Sequence, residues 1–334
     1  MTPTAVFDTY WWFAAERQAI YERRLQDPYG PWTNDRILRE WRFTNVFRAA
    51  DRVSQYLIGD VQYAAERSQA PAEVFFRTLL FKLFNKIETW ELLERELGPL
   101  SWQSADFTAM DQILGMAMAR GERIYSAAYI MPAPRLGRER KHANHLALLS
   151  MMMEDGLPGR LQRAGSLQEA YELLRPYPGL GTFLAFQYAI DLNYSSLLEF
   201  DEADFVVAGP GALDGIAKCF SEVGMLSPAD VIFEMVDRQG HEFGRLGLDF
   251  SGLFGRRLQP IDCQNLFCEI SKYARVRHPE IRGVSDRTRI KQTYKQARRD
   301  MATPKFPPRW GLRVDMPEAT AVRPLGVGEQ GRLL

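Results

Sequence analysis

Residues 174–190, LRPYPGLGTFLAFQYAI, contain the pattern that most constrains the fold. A helical pattern ends before Pro176, and a second, apolar helical pattern begins after the glycines. Gly179 and Gly181 permit positive φ and leave backbone N–H groups unobstructed at the start of the second helix. The segment therefore predicts two helices joined by a tight turn. Such a turn suits a helix-hairpin-helix that grips a DNA phosphate, or an ordinary joint in which glycine serves packing.

Helical periodicity extends outward from this segment through most of the chain. The helices predicted before it are 4–26, 35–41, 44–66, 71–87, 89–97, 106–120, 138–154 and 166–175. An apolar-aromatic helix is predicted at 261–276, whereas strand patterns are short and ambiguous. We therefore expect an all-α fold. Its single helical domain, residues 1–283, is expected to consist of two packed lobes at about 1–175 and 176–283.

Composition narrows the class of protein. Of the 334 residues, 46% are hydrophobic and 25% are charged, as in a globular protein with a sizeable core. No stretch approaches the roughly 18 apolar residues of a spanning helix, and the N-terminus lacks the pattern of a signal peptide. Three cysteines without a C-x-x-C pair argue against a disulfide framework or a structural zinc site. A cytoplasmic protein without membrane association is expected.

Net charge is formally zero but unevenly distributed. Residues 256–313 carry fifteen Lys or Arg against five Asp or Glu, so a basic C-terminal region follows an acidic body. Residues 284–334 are predicted to form a basic helix, at 285–301, and an extended tail. Such asymmetry is typical of a protein that binds a polyanion, unless acids elsewhere in the fold balance it. The predicted DNA-backbone contacts are Arg287, Arg289, Lys291, Lys295, Arg298 and Arg299.

A second glycine turn lies in the run FDEADFVVAGPGALDGI at 200–216. Gly209 and Gly211 precede another helix and predict a second group of backbone N–H donors for DNA. In helix-hairpin-helix DNA glycosylases, an acidic residue follows the hairpin and begins the next helix. The acids in this run resemble that arrangement. Asp204 is therefore a candidate general base, Asp201 or Glu202 could replace it, and a helix cap is the alternative role. The sequence departs from these glycosylases near the hairpin, where Thr182 and Phe183 stand at the place expected for the lysine nucleophile of the bifunctional enzymes, and it has no four-cysteine cluster site.

Three blocks of sequence together resemble one family. They are WTNDRILREWRFTNVFRAAD at 32–51, the hairpin with its GPGA turn, and IDCQNLFCEISKYAR at 261–275. The chain is similar to the α-glutamyl/putrescinyl thymine pyrophosphorylase family and to the helical domain of bacteriophage 5-hydroxymethyluracil DNA kinases. The resemblance implies a helix-hairpin-helix, DNA-glycosylase-like fold and a place in phage thymine hypermodification. In such a pathway an amine displaces the phosphate or pyrophosphate of activated 5-hydroxymethyluracil in DNA.

The motifs favour a transferase of this pathway over a kinase. The resemblance implies that the kinases of this pathway carry a P-loop, G-x-x-x-x-G-K-[ST], and the sequence contains none. The expected substrates are double-stranded DNA carrying a modified pyrimidine and an amine such as an amino acid or a polyamine. No metal site is predicted and no cofactor is required, although a divalent cation on the pyrophosphate is compatible with the chemistry. The alternatives are a base-excising glycosylase and a catalytically silent DNA-binding module that recruits a kinase.

The 42–51 stretch supplies the predicted substrate- and phosphate-binding residues. Arg42, Asn45, Arg48 and Asp51 recur at helical spacing, so they are expected on one face of the predicted helix. Arginine suits phosphate oxygens because its planar fork donates two hydrogen bonds at once. The alternative is a surface face held by salt bridges.

The predicted helix 261–276 supplies the second group of candidates. Glu269 and Lys272 lie three residues apart among apolar neighbours, and Asn265 lies one turn earlier. A buried ion pair is costly unless it has a function, so Glu269 and Lys272 are predicted to be catalytic together with Asp204. Asn265 is predicted to bind substrate. The alternative is an exposed i,i+3 ion pair.

Overall fold

Helices dominate the computed structural model, which describes residues 1–127, 131–295 and 302–314. The α-helices of these ranges are α1 (Ala5–Gln26), α2 (Arg36–Glu40), α3 (Arg52–Tyr56), α4 (Pro71–Phe84), α5 (Ile87–Leu97), α6 (Phe107–Ala119), α7 (Lys141–Glu154), α8 (Leu157–Gln162), α9 (Leu167–Leu174), α10 (Thr182–Asn193), α11 (Pro210–Cys219), α12 (Pro228–Arg245) and α13 (Pro260–Arg277). Shorter 3-10 turns lie at Arg48–Ala50, Glu202–Asp204 and Pro308–Trp310, and a π-helical stretch lies at Leu57–Gln62. The all-α prediction is confirmed in that the fold is predominantly helical.

The residues before the first helix pair with the chain that follows α11. Strands β1 (Thr2–Pro3) and β2 (Phe220–Glu222) pair antiparallel. Helix α1 then begins where the Thr4 hydroxyl accepts a hydrogen bond from the Val6 N–H at 3.1 Å. No helix in the described ranges combines the length and the apolar character needed to cross a membrane.

Helix α13 lies at the centre of one half of the molecule, where it packs against α1, α11 and α12. Leu266, Phe267 and Ile270 are at most 1% exposed in this packing. The approach of α11 requires glycine, because a Cβ at Gly215 would lie 2.0 Å from the carbonyl oxygen of Phe267. The helix predicted at 261–276 is confirmed to within one residue at each end.

Helix α10 connects this half to α4 and α9. It follows α9 through a turn in which Gly179 has a φ of +85°, a conformation that side chains with a Cβ rarely adopt. The two helices and the turn predicted from 174–190 are therefore present. On the buried side of α10, Gln187 and Asp191 accept hydrogen bonds from Arg48.

The helix predicted at 44–66 is wrong in its first part. Residues 42–47 are not helical, and the chain then passes through the 3-10 turn, α3 and the π-helical stretch. Here side-chain carboxylates accept hydrogen bonds from backbone N–H groups and so stabilise a non-helical conformation. The three pairs are Thr44 N–H with Glu269 at 3.0 Å, Asn45 N–H with Asp51 at 2.8 Å, and Arg48 N–H with Asp262 at 3.0 Å. We call residues 42–47 the carboxylate-held loop.

The basic helix predicted at 285–301 is wrong over its described part. Residues 285–295 contain no helix, and the remainder lies outside the described ranges. This segment instead runs beside the end of α2 and the start of the carboxylate-held loop. The backbone bonds are Arg42 N–H to the Gln292 carbonyl and Tyr294 N–H to the Glu40 carbonyl, both at 2.9 Å. Pairing with a distant segment thus replaces the local hydrogen bonds of a helix.

Candidate functional site

Glu269 and Lys272 form an ion pair on α13, with 2.6 Å between Lys272 Nζ and Glu269 Oε2. Glu269 is 5% exposed, and the same oxygen accepts the Thr44 N–H. The side chain of Lys272 is 27% exposed and its ammonium group lies 5.2 Å from the centre of the Phe43 ring. The carboxylate therefore shapes the carboxylate-held loop, while the ammonium group stays partly accessible.

Asn45 and Asn265 connect the same loop to α13. Asn265 Nδ2 donates to the Asn45 carbonyl at 3.0 Å, and Asn45 Oδ1 accepts from Arg17 Nη2 at 2.6 Å. Burial raises the pKa of Asp51 from 3.8 to about 6, although the Asn45 N–H and the nearby Arg17 act in the opposite direction. The structure thus brings five of the eight predicted catalytic and substrate-binding residues into one polar cluster, namely Asn45, Asp51, Asn265, Glu269 and Lys272. It adds Arg17, which the sequence reasoning missed.

Arg48 points into the interior and is 6% exposed. Its guanidinium donates to Asp191 Oδ1 at 2.7 Å and to Gln187 Oε1 at 3.0 Å. Burial raises the pKa of Asp191, but Arg48 and Lys82 outweigh this effect and hold that pKa below its usual value. The phosphate-binding role of Arg48 stays a prediction, and its observed contacts tie the loop to α10. Arg42, by contrast, is exposed.

Asp204 is exposed in the 3-10 turn Glu202–Asp204. The buried carboxylate of this turn is Glu202, which is 3% exposed and lies 3.5 Å from Arg256 Nη2. Burial raises the pKa of Glu202 from 4.5 to about 7, with Arg256 opposing the shift. The catalytic role of Asp204 stays a prediction, and Glu202 is the perturbed acid of this turn.

The two glycine turns are neighbours. Gly181 precedes α10 and Gly209 precedes α11, and a Cβ at Gly209 would lie 2.5 Å from the ring of Phe183 in the first turn of α10. Gly211 lies against Cys268 of α13. Gly181 is exposed, so the start of α10 faces solvent. Both helix starts therefore lie in one region, beside the central helix.

The described part of the segment predicted as a basic helix, residues 285–295, carries its cations at the surface, and we call it the basic segment. Its exposed cations are Arg287, Arg289, Lys291 and Lys295, whereas Arg298 and Arg299 lie outside the described residues. Because the backbone of this segment pairs with residues 40–42, Tyr294 enters the wall of a neighbouring cleft.

This cleft has a volume of about 560 Å³ and lies between one face of α1 and the chain from residue 29 to residue 45. Three arginines line it, Arg17, Arg24 and Arg39, and Asn45 is the predicted site residue in its wall. Its aromatic and larger aliphatic lining residues are Ile20, Tyr21, Tyr29, Trp32, Leu38, Trp41, Phe43 and Tyr294. We call it the arginine cleft. No carboxylate is among its described lining residues.

Some of the cleft was accessible to sequence reasoning. Arg17, Tyr21 and Arg24 recur at i, i+4 and i+7 along α1, so their common face follows from helical spacing. Glu269 and Lys272 do not line the cleft. Both contact the carboxylate-held loop, and Asn45 of that loop does line the cleft. Among the described residues, no group of three or more His, Cys, Asp or Glu side chains is arranged to hold a metal ion.

Comparison with known proteins identifies the family. Residues 4–283 match the model of the family described as 5-hmdU DNA kinase, helical domain. The 5-hmdU DNA kinase of Bacillus phage SP10 is 27% identical over 292 residues, covering 81% of this chain and 45% of the kinase. The chain thus spans less than half the length of that curated relative, and no solved structure matches it. Because the family model covers most of the sequence, the chain belongs to the family of the 5-hmdU DNA kinase helical domain.

Proposed function

We propose that the chain is a transferase that modifies a pyrimidine within DNA, in the hypermodification of thymine. Its substrate is double-stranded DNA in which the hydroxymethyl oxygen of 5-hydroxymethyluracil bears a phosphate or pyrophosphate. An amine, such as an amino acid or a polyamine, replaces that group. The observation that carries the proposal is the arginine cleft in a chain of this family, because its cations and aromatic walls suit an anionic pyrimidine.

The reaction is a substitution at the methylene carbon. The amine nitrogen forms a bond to that carbon, the carbon–oxygen bond breaks, and the phosphate or pyrophosphate leaves with the bonding electrons. A base must accept the proton that the amine loses, and cations or N–H donors must stabilise the leaving group. Glu269 is the proposed base, since it contacts the carboxylate-held loop next to the cleft. Lys272 and Arg17 supply positive charge around the same loop.

The duplex must be held while the base is reached, and extrusion of the base from the stack is the usual solution. The exposed start of α10 suits contact with a backbone phosphate, because its N–H groups and helix dipole favour an anion. The exposed cations of 287–295 suit further phosphate contacts. Tyr294 joins this basic segment to the arginine cleft. These elements support a helix-hairpin-helix mode of DNA binding, which we include in the proposal.

The test is mass analysis of nucleosides after incubation of the protein with activated DNA and a panel of amines. We expect an amine-substituted nucleoside within intact DNA, and release of phosphate or pyrophosphate in equal amount. DNA with unactivated 5-hydroxymethyluracil is the control, since hydroxide is a poor leaving group. Parallel reactions with EDTA show whether a divalent cation on the pyrophosphate is needed. Duplex binding without a new nucleoside for any amine would contradict the proposal.

A second candidate is a non-catalytic module that delivers DNA to a separate kinase. The observation that favours it is the length of the matched region, which is less than half of the SP10 kinase. In that kinase the region is therefore joined to other sequence. Under this candidate, the chain raises the rate at which a 5-hmdU DNA kinase phosphorylates its DNA. No amine is incorporated. The nucleoside analysis and a kinase assay with added chain separate the two candidates.

A further inference from the structure

We propose that the arginine cleft holds an extruded pyrimidine that bears phosphate on its 5-methylene group. The phosphate oxygens contact Arg24 and Arg39, and the ring lies against the aromatic wall that contains Trp32 and Trp41. The identity of this ligand rests on the proposed function. The location of the site rests on three independent features of the cleft.

Charge is the first feature. Arg17, Arg24 and Arg39 line one cavity without a described carboxylate among the lining residues. Arg17 donates hydrogen bonds to the Thr44 carbonyl at 3.0 Å and to Asn45 Oδ1 at 2.6 Å. Its guanidinium therefore holds the wall of the cleft in place. The side chain of Arg39 is exposed and makes no hydrogen bond or ion pair within the described residues. Like charges around one cavity repel each other, and an anionic ligand removes that repulsion.

Two buried polar atoms are the second feature. Tyr21 is 2% exposed, and its hydroxyl has no hydrogen-bond partner among the described residues. The Nε atom of Arg24 is also buried and has no hydrogen-bond partner among the described residues. Buried polar groups are nearly always paired, because they lose their hydrogen bonds to water on burial. Since both side chains line the cleft, phosphate or pyrimidine oxygens are suitable partners for these two donors.

The aromatic wall is the third feature. Arg24 lies over the ring of Trp32, with 5.4 Å from its guanidinium carbon to the ring centre. Trp41 also lines the cleft, and Tyr29, which is 63% exposed, lies in the same wall. Extruded bases are bound by stacking between aromatic or apolar side chains, with hydrogen bonds to their edges. A flat apolar wall next to arginines therefore fits a pyrimidine with a phosphate better than an inorganic anion alone.

The basic segment distinguishes a base in DNA from a free nucleotide. Tyr294 lines the cleft, and the exposed Lys291 and Lys295 flank it in sequence. DNA phosphates on either side of an extruded nucleotide require cations at the mouth of such a cleft. A free mononucleotide would leave these cations without a partner. We therefore expect the free nucleotide to bind more weakly than the duplex.

The test uses the full chain and three variants. Tyr21→Phe removes only the hydroxyl without a partner, and Arg39→Ala removes an exposed cation of the cleft. Arg36→Ala is the matched control, because Arg36 lies on the same helix α2, has an 86% exposed side chain and does not line the cleft. The probe is a duplex with one 5-phosphooxymethyl-2′-deoxyuridine. Its affinity is compared with that of the same duplex with thymine and with that of the free modified nucleoside.

We expect Arg39→Ala to weaken binding of the modified duplex about tenfold and Tyr21→Phe about fivefold, because each removes a donor to a charged or polar oxygen. Affinity for the thymine duplex and the thermal unfolding midpoints should match the wild type, and Arg36→Ala should behave as the wild type throughout. Equal affinity of the free nucleoside and the modified duplex would overturn the assignment to an extruded nucleotide.

The assignment and the proposed function fail in different ways. If both cleft variants bind the modified duplex as tightly as the wild type, the cleft assignment is overturned, even where the wild type forms amine-substituted nucleosides. If the variants lose binding but the wild type forms no new nucleoside, the transferase proposal fails and the cleft assignment stands.

Discussion

The guanidinium of Arg48 and the carboxylate of Asp191 form an ion pair of 2.7 Å whose side chains are only 7% and 0% exposed. Arg48 lies directly after the carboxylate-held loop, and Asp191 lies in α10, whose other end is the exposed glycine turn. The pair therefore fixes the loop beside the arginine cleft relative to the helix proposed to contact the DNA backbone. The Arg48–Asp191 ion pair therefore acts on the relative position of the loop and α10.

Replacement of Arg48 by Ala is expected to lower the free energy of unfolding by about 3–5 kcal/mol, because Asp191 would stay buried without its nearest cation. Arg52→Ala is the control, since Arg52 is 65% exposed and pairs with Glu88 at the surface, where a loss below about 1 kcal/mol is expected. Urea unfolding measures the free energies of unfolding of both variants. Similar small losses in both variants, with DNA binding abolished only in Arg48→Ala, would show instead that Arg48 is a phosphate ligand.

Glu202 predicts a pH dependence of stability. Burial raises its pKa from 4.5 to about 7, so between these values the folded protein keeps a proton that the unfolded chain has lost. The contribution of Glu202 to stability is therefore complete below pH 4.5 and is lost as the pH rises to about 7. In Glu202→Gln this loss, up to about 3 kcal/mol, should disappear.

Urea unfolding of the wild type and of Glu202→Gln at a series of pH values gives the measurement. The difference between their free energies of unfolding should shift in favour of the variant as the pH rises. A difference that stays constant with pH would mean that Glu202 is not perturbed in the folded protein.

The elements that were predictable from the sequence are those whose contacts are local. Helices α1 and α13 follow from apolar periodicity, and the α9–α10 turn follows from Gly179, whose positive φ is a property of one residue. The carboxylate-held loop was not predictable in this way. The Thr44 N–H in this loop bonds to Glu269, and the Arg48 N–H directly after the loop bonds to Asp262. Both acceptors lie more than 200 positions away, and no local pattern encodes them.

The candidate site divides along the same line. Arg17, Tyr21 and Arg24 share a helical face that spacing alone defines. The opposite wall of the cleft depends on a tertiary contact, the pairing of residues 292–294 with 40–42, which brings Tyr294 to it. A helix at 285–301, as predicted, would not make that contact. The complete cleft was therefore not predictable from the sequence.

The start of α10 can be tested by removing one N–H group without truncating a buried side chain. Thr182 is exposed, and Gly181 before it has φ −70° and ψ 174°, so proline suits position 182. Thr182→Pro should reduce duplex affinity about fivefold through loss of one phosphate donor, with unchanged thermal unfolding. Thr182→Ala, which keeps the N–H, is the control. Equal affinity of the two variants would exclude a phosphate contact by this group.

Glu269→Gln tests the proposed base. Glutamine keeps an oxygen that can accept the Thr44 N–H but removes the negative charge beside Lys272. We expect amine transfer to slow about 100-fold, with duplex affinity unchanged, because a general base typically contributes a factor of this order. Glu234→Gln, on the exposed face of α12, is the control. Parallel losses of rate, DNA affinity and unfolding midpoint would show that Glu269 acts by holding the loop.

The basic segment predicts the salt dependence of DNA binding. Each phosphate that a cation neutralises contributes about 0.9 to the slope of log affinity against log salt concentration. A variant with alanine at Arg287, Arg289, Lys291 and Lys295 should therefore lose about 3 to 4 from the magnitude of that slope. Its unfolding midpoint should stay unchanged, because these side chains are exposed and the segment is held by its backbone.

The matched control replaces four exposed arginines elsewhere, Arg95, Arg120, Arg160 and Arg163. Both variants lose the same net charge, so a general field effect would reduce both slopes equally and would exclude a direct contact by 287–295. A direct contact lowers the slope in the first variant alone. It also weakens the thymine duplex and the modified duplex by the same factor, because phosphate contacts position the DNA and carry no information about the base.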